Sequence, residues 1–142
     1  MSLYNLYHDA NLTNPVEAVD PLVTEHNADG STGNVDTHLY FGCPTASLQA
    51  QASSDPGVDD IMLSIADAIP GNSHAKTVIK LASTQLGLAT AVAGDPLNIG
   101  ITVLSGAANK VDVWVRVNEG AQPVVNWTDL SLETNELKVT AV

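Results

Sequence analysis

The sequence predicts an antiparallel all-β domain with an extended N-terminal arm, and three observations carry that prediction. Apolar residues alternate strictly in short runs, most clearly in PLNIGITVLSGAANKVDVWVRVNEG, residues 96–120. Val, Ala, Leu, Thr and Ser are plentiful while aromatics make up only 4% of the chain, a composition that suits strands better than a helical bundle. Clusters of Gly, Pro, Asn and Asp interrupt the runs at short intervals, as turns between strands do. With 142 residues and 44% hydrophobic content there is room for one domain with a real core plus an appendage.

Residues 1–36 read as the arm. Tyr4, Leu6 and Tyr7 stand near its start, Pro15 and Pro21 follow, and HNADGSTGNVD closes it. The prolines and the Asn, Asp and Gly residues deny this stretch a continuous helix or a central strand. Its Tyr and Leu residues are expected to be held by the body, by a sister subunit or by a larger assembly, and Tyr4, Leu6, Tyr7, Leu12 and Val19 are the candidate contacts with a partner.

The body, residues 37–142, begins with a strand over Thr37–Gly42 that sets Leu39 and Phe41 on one face, and Pro44 stops it. A weaker strand, Ser47–Ala52, leads to the turn SSDPG. Asp60–Ala68 then points Ile61, Leu63 and Ile65 inward. The loop IPGNSHA precedes a strand over Lys76–Ala82 with Thr77, Ile79 and Leu81 on one face, and a short strand is expected around Ala89–Ala93.

The central pair comes next. Leu97, Ile99, Ile101 and Val103 form one alternating run and Val111, Val113, Val115 and Val117 the other, with SGAANK between them, so a β-hairpin is expected. Trp114 lies between Asp112 and Arg116 on the face opposite the valines, where it either fills a second buried face or anchors a partner. A final strand or bent pair spans Leu130–Val142. Strands at this spacing suggest an antiparallel sandwich of immunoglobulin-like type. The expected core is Leu39, Phe41, Ile61, Leu63, Ile65, Ile79, Leu81, Leu97, Ile99, Ile101, Val103, Val111, Val113, Val115, Val117, Leu130 and Leu132.

The net charge of −11 is unevenly spread. Residues 1–75 hold ten acids and no Lys or Arg, while all five basic residues fall in 76–142. An anionic surface repels phosphate backbones and anionic lipid, so neither nucleic acid nor membrane is an expected partner. MSLYNLYHDANL has neither a basic start nor an unbroken apolar run, and no secretory signal is expected.

No pattern of catalysis emerges. Cys43 is the lone cysteine, the histidines His8, His26, His38 and His74 never fall at paired zinc spacing, and there is no nucleophile elbow or phosphate-binding glycine loop. Glu25–Asp36, EHNADGSTGNVD, places oxygen ligands in an EF-hand-like register with Gly30 at the sixth position. However, Glu25 and Asp36 depart from the usual end residues and neither flank reads as a helix. An Asx and glycine turn is expected there instead. No enzyme activity, catalytic residue, metal or cofactor is assigned.

Taken together, THLYFGCP, SIADAIPGNSHAKTVIKLAST and LNIGITVLSGAANKVDVWVRV resemble small structural virion proteins of tailed bacteriophages, the class that includes capsid decoration or cement proteins. The resemblance covers the organisation of residues 37–142. It implies a non-enzymatic domain made in the host cytoplasm and placed on the virion surface, where many copies bind the lattice of the major capsid protein, for instance as trimers of sister subunits. The alternative is a carbohydrate-binding or adhesion module of a tail or fibre, using Trp114, Trp127 and tyrosines.

Overall fold

Alternation along the chain becomes strand wherever one face can be buried, and the computed structural model, which describes residues 3–72 and 74–142, shows where this happens. Met1 and Ser2 of the expected arm and Ser73 of the expected loop lie outside the described residues. The strands are β1 (Asn5–Tyr7), β2 (Asn34–Gly42), β3 (Leu48–Ala52), β4 (Ile61–Asp67), β5 (Ile79–Ala82), β6 (Leu97–Gly100), β7 (Thr102–Leu104), β8 (Val111–Asn118), β9 (Leu130–Thr134) and β10 (Leu137–Ala141). Every pairing is antiparallel.

One sheet runs β1-β2-β8-β5; the others run β6-β4-β9 and β7-β3-β10. The two smaller sheets continue into one another, because β6 leads directly into β7 and β9 into β10. Backbone bonds also fill the seam: Ser53 N–H donates to Glu136 O at 2.8 Å and Asn135 N–H to Met62 O at 3.2 Å. The middle strand of this long, bent layer is interrupted by the loop 53–60 between β3 and β4.

The layers share one core. Tyr4 just before β1, Leu6 of β1, Leu39 and Phe41 of β2, Ile79 and Leu81 of β5 and Val113, Val115 and Val117 of β8 pack with Ala50, Ile61, Leu63, Ile65, Ile99 and Val103 from the opposite layer. Leu97, Val111, Leu130 and Leu132 are half-buried against the same cluster. Tyr4 also ties the layers by a polar link, its hydroxyl donating to Val103 O at 2.9 Å. Burial pushes that hydroxyl up to about 12, so it remains a donor across the physiological range.

Several expectations require correction. The two central runs are strands but not a hairpin: β8 pairs with β2 and β5, β6 with β4, and β7 with β3. The Ser105–Lys110 connection therefore crosses between layers, with a short 3-10 turn at Ala107–Asn109. Ile101 is 44% exposed because it sits where the chain leaves one small sheet for the next, after Gly100 at φ 125. Residues 89–93 form no strand; a 3-10 turn at Leu86–Ala89 packs on β5 and β8, and Leu88 is fully buried.

The immunoglobulin-like connectivity also gives way. If each interrupted strand is counted once, the larger sheet runs first-second-sixth-fourth against fifth-third-seventh. In an immunoglobulin domain the order is first-second-fifth-fourth against third-sixth-seventh.

Residues 4–12 of the expected arm pack against the body. Tyr4, Leu6, Tyr7 and Leu12 are buried, and β1 pairs with β2 through Leu6 opposite Phe41. Asp9 closes the turn that follows by accepting from Thr13 N–H, Thr13 Oγ1 and Asn14 N–H. These bonds, the Thr13 hydroxyl foremost, hold its carboxyl below the usual range. Leu12, at φ 56, folds back over Gly42, where a side chain would collide with it.

A paired substitution checks this reassignment. Val113→Asp is expected to unfold the domain, because it puts an unpaired charge at a fully buried site, whereas Ile101→Asp is expected to shift stability by less than about 1 kcal/mol. Thermal melts of both variants decide it; equal losses would refute the sheet switch at Gly100.

Candidate functional site

Two loops at one end of the strands bring together the most unusual chemistry among the described residues. His74 stands in the loop between β4 and β5, Glu119 follows the last residue of β8, and Asp129 precedes the first residue of β9. Asn72 shapes the first loop, its Oδ1 accepting from His74 N–H at 3.0 Å. Asp129 is fixed through its backbone, since its carbonyl accepts from Ala68 N–H at 2.8 Å.

The imidazole is held from both sides. His74 Nδ1 lies 2.8 Å from Asp129 Oδ1, Nε2 meets Glu119 Oε1, and the ring stacks on Trp127 at 4.9 Å with planes 12° apart. His74 is 6% exposed, and Glu119 and Asp129 are comparably buried. Asn72 Nδ2 donates to the second Asp129 oxygen at 2.9 Å. Glu119 Oε2 and Trp127 Nε1 are buried without a hydrogen-bond partner among the described residues.

Two carboxylates facing the two ring nitrogens require an N–H at each, which makes the ring an imidazolium. Burial alone works against that charge. The hydrogen bonds to Asp129 and Glu119, together with the charges of both carboxylates, outweigh it and raise the pKa above that of a free histidine. Asp129 responds in the opposite sense: burial pushes its pKa up, but the bonds from Asn72 and His74 bring it below the usual value.

The arrangement resembles a catalytic Asp-His pair only in composition. A general base needs a free ring nitrogen aimed at a reacting proton, and here both nitrogens are occupied. What the cluster can do is hold a proton and clamp three chain segments. Among the described residues no group of His, Cys, Asp or Glu is arranged to hold a metal ion.

A second cluster covers the outer face of the four-stranded sheet. His38 stacks on Trp114 at 4.2 Å and lies 4.3 Å from Tyr40. An Nε2–H tautomer donates to Asp112 at 3.1 Å and accepts from the Tyr40 hydroxyl at Nδ1, 3.2 Å away. Two residues further along each strand, Arg116 grips Asp36 with Nε–Oδ1 at 2.7 Å and a second nitrogen 3.0 Å from Oδ2. The Arg116 bond, foremost, holds the Asp36 carboxyl below its ordinary range.

The expected site residues are thus dispersed. Tyr4, Leu6, Tyr7 and Leu12 belong to this chain's own core and offer nothing to a partner; Val19 is 88% exposed; Trp114 is half-buried beneath His38. Asp36 spends its carboxylate on Arg116 and Gln85, so Glu25–Asp36 does not close as a cation loop. The Glu119, His74 and Asp129 cluster was not legible, because its members stand 45 and 55 positions from the histidine and share no motif.

No family model, curated protein or solved structure matches the chain.

Proposed function

We propose that the protein is a non-enzymatic structural component of a tailed-phage virion, a capsid decoration or cement protein bound to the outer surface of the capsid lattice. The observation that carries this reading is a pair of extended surface segments studded with exposed valines. Val19 and Val23 lie on one, and Val124, 92% exposed, and Val125 on the other. The segments are joined where Gln122 N–H donates to Ala28 O at 2.9 Å and where the backbone at Gly30 closely approaches Gly120 and Ala121. On an acidic domain, an apolar ridge of this kind suits docking onto protein.

Repetition on a symmetric shell, with sister subunits linked for instance as trimers, would turn weak individual contacts into firm attachment. The carbohydrate-binding alternative has less support, since His38 covers one face of Trp114 and His74 one face of Trp127.

The test is to mix full-length protein with undecorated heads and measure co-sedimentation. Val19→Asp with Val23→Asp, or Val124→Asp, is expected to reduce the bound copies roughly tenfold with little change in melting temperature. Undiminished binding by both variants removes the ridge from the interface. If the unaltered protein does not bind heads, attachment to a tail or fibre becomes the better reading.

A further inference from the structure

We propose that the cluster of Glu119, His74 and Asp129 is a proton-operated latch. While the ring carries both protons it holds the segment 119–129 against the domain, and loss of one proton releases that segment. The inference rests on this geometry and does not depend on the proposed function.

Two features make the cluster a latch rather than ordinary packing. First, residues 120–129 lie between β8 and β9 and contribute to no strand, so anchoring falls to the ends of the segment and to a few loop bonds. Glu119 is at one end, Asp129 at the other, and Trp127 between them stacks on the histidine that joins both. Second, the arrangement has no satisfactory neutral form. A neutral imidazole has one N–H, so one of the two buried carboxylates must lose its donor. Glu119 already has one oxygen without a partner and would be left with none. Two buried anions would then face each other across an uncharged ring, an arrangement relieved by admitting water and letting the segment move.

The charged groups set against His74 are Glu119 from the end of β8 and Asp129 from the start of β9. Its own loop contributes the uncharged Asn72. The bonds to both carboxylates raise the pKa of His74, so release belongs on the alkaline side of a free imidazole's midpoint of about 6.5.

The experiment follows two signals in the full-length protein from pH 5 upward. One is the His74 ring resonance; the other is amide exchange, corrected for its intrinsic pH dependence, at Gln122 and Ala68, whose N–H groups bond within or against the segment. Protection of both amides is expected to fall roughly tenfold or more as His74 titrates, while the β2–β8 ladder keeps its protection.

Glu119→Gln supplies the discriminating variant. A neutral His74 can still donate from Nδ1 to Asp129 and can accept at Nε2 from the glutamine amide, so the fall in protection is expected to disappear. The proposal is overturned if protection stays flat while His74 titrates, if the ring keeps its proton until the whole domain unfolds, or if Glu119→Gln shows the same fall as the unaltered protein.

Discussion

Replacing His74 with alanine is expected to lower stability by about 3–5 kcal/mol near pH 6, the usual effect of removing one member of a buried ion cluster. The loss arises because Glu119 and Asp129 remain buried without the cation between them, and Trp127 loses the ring that covers it. For a chain of this length the melting temperature should fall on the order of 10 °C. Urea denaturation monitored by circular dichroism measures the effect, and a change below about 1 kcal/mol would mean that the cluster contributes little.

The pH dependence of that difference follows from the signs of the shifts. His74 has a raised folded-state pKa, so its contribution is complete below the unfolded value of about 6.5 and is lost as pH rises through the folded value. Asp129 has a lowered one. Its contribution is complete above about 3.9 and is lost as pH falls through the folded value. The gap between the unaltered protein and His74→Ala should therefore be widest between these limits and should narrow on the alkaline side.

Removing residues 1–12 is expected to abolish folding rather than merely detach an arm. Tyr4, Leu6, Tyr7 and Leu12 would leave the core, and burying such a side chain contributes about 1.5–3 kcal/mol. Together they approach the whole stability of a typical domain, about 5–15 kcal/mol. The truncation would also cut the Tyr4 link to Val103 and leave Phe41 without its β1 neighbour. Loss of the cooperative melt, with aggregation on expression, is the outcome expected. A truncated protein that melts with the full-length transition would show that β1 is dispensable. For the same reason, a head-binding test must use point substitutions on the ridge and not a shortened chain.

Strand existence was legible locally because burial on one face imposes a period of two on any sequence that accepts it. Val111–Val117 and Leu39–Phe41 declare themselves in this way, and the structure buries Val113, Val115, Val117, Leu39 and Phe41. Punctuation by Gly, Pro and Asn was sufficient to separate most strands. The all-β class followed from these signals alone.

Partners in the ladder, by contrast, were decided by the tertiary structure. Alternation says which residues face inward and is silent on which strand lies alongside, so adjacent runs such as β7 and β8 could look like a hairpin while belonging to opposite layers. The N-terminal residues misled for a related reason: a strand as short as Asn5–Tyr7 carries no periodicity, and only β2 beside it and Val103 across the core give Tyr4 and Leu6 a place. The cluster at His74 lay furthest from view. A histidine and its distant carboxylates become one ionised unit only when two loops meet out of water, because desolvation and hydrogen bonding, which set its charge, depend on position in space and leave no period in the chain.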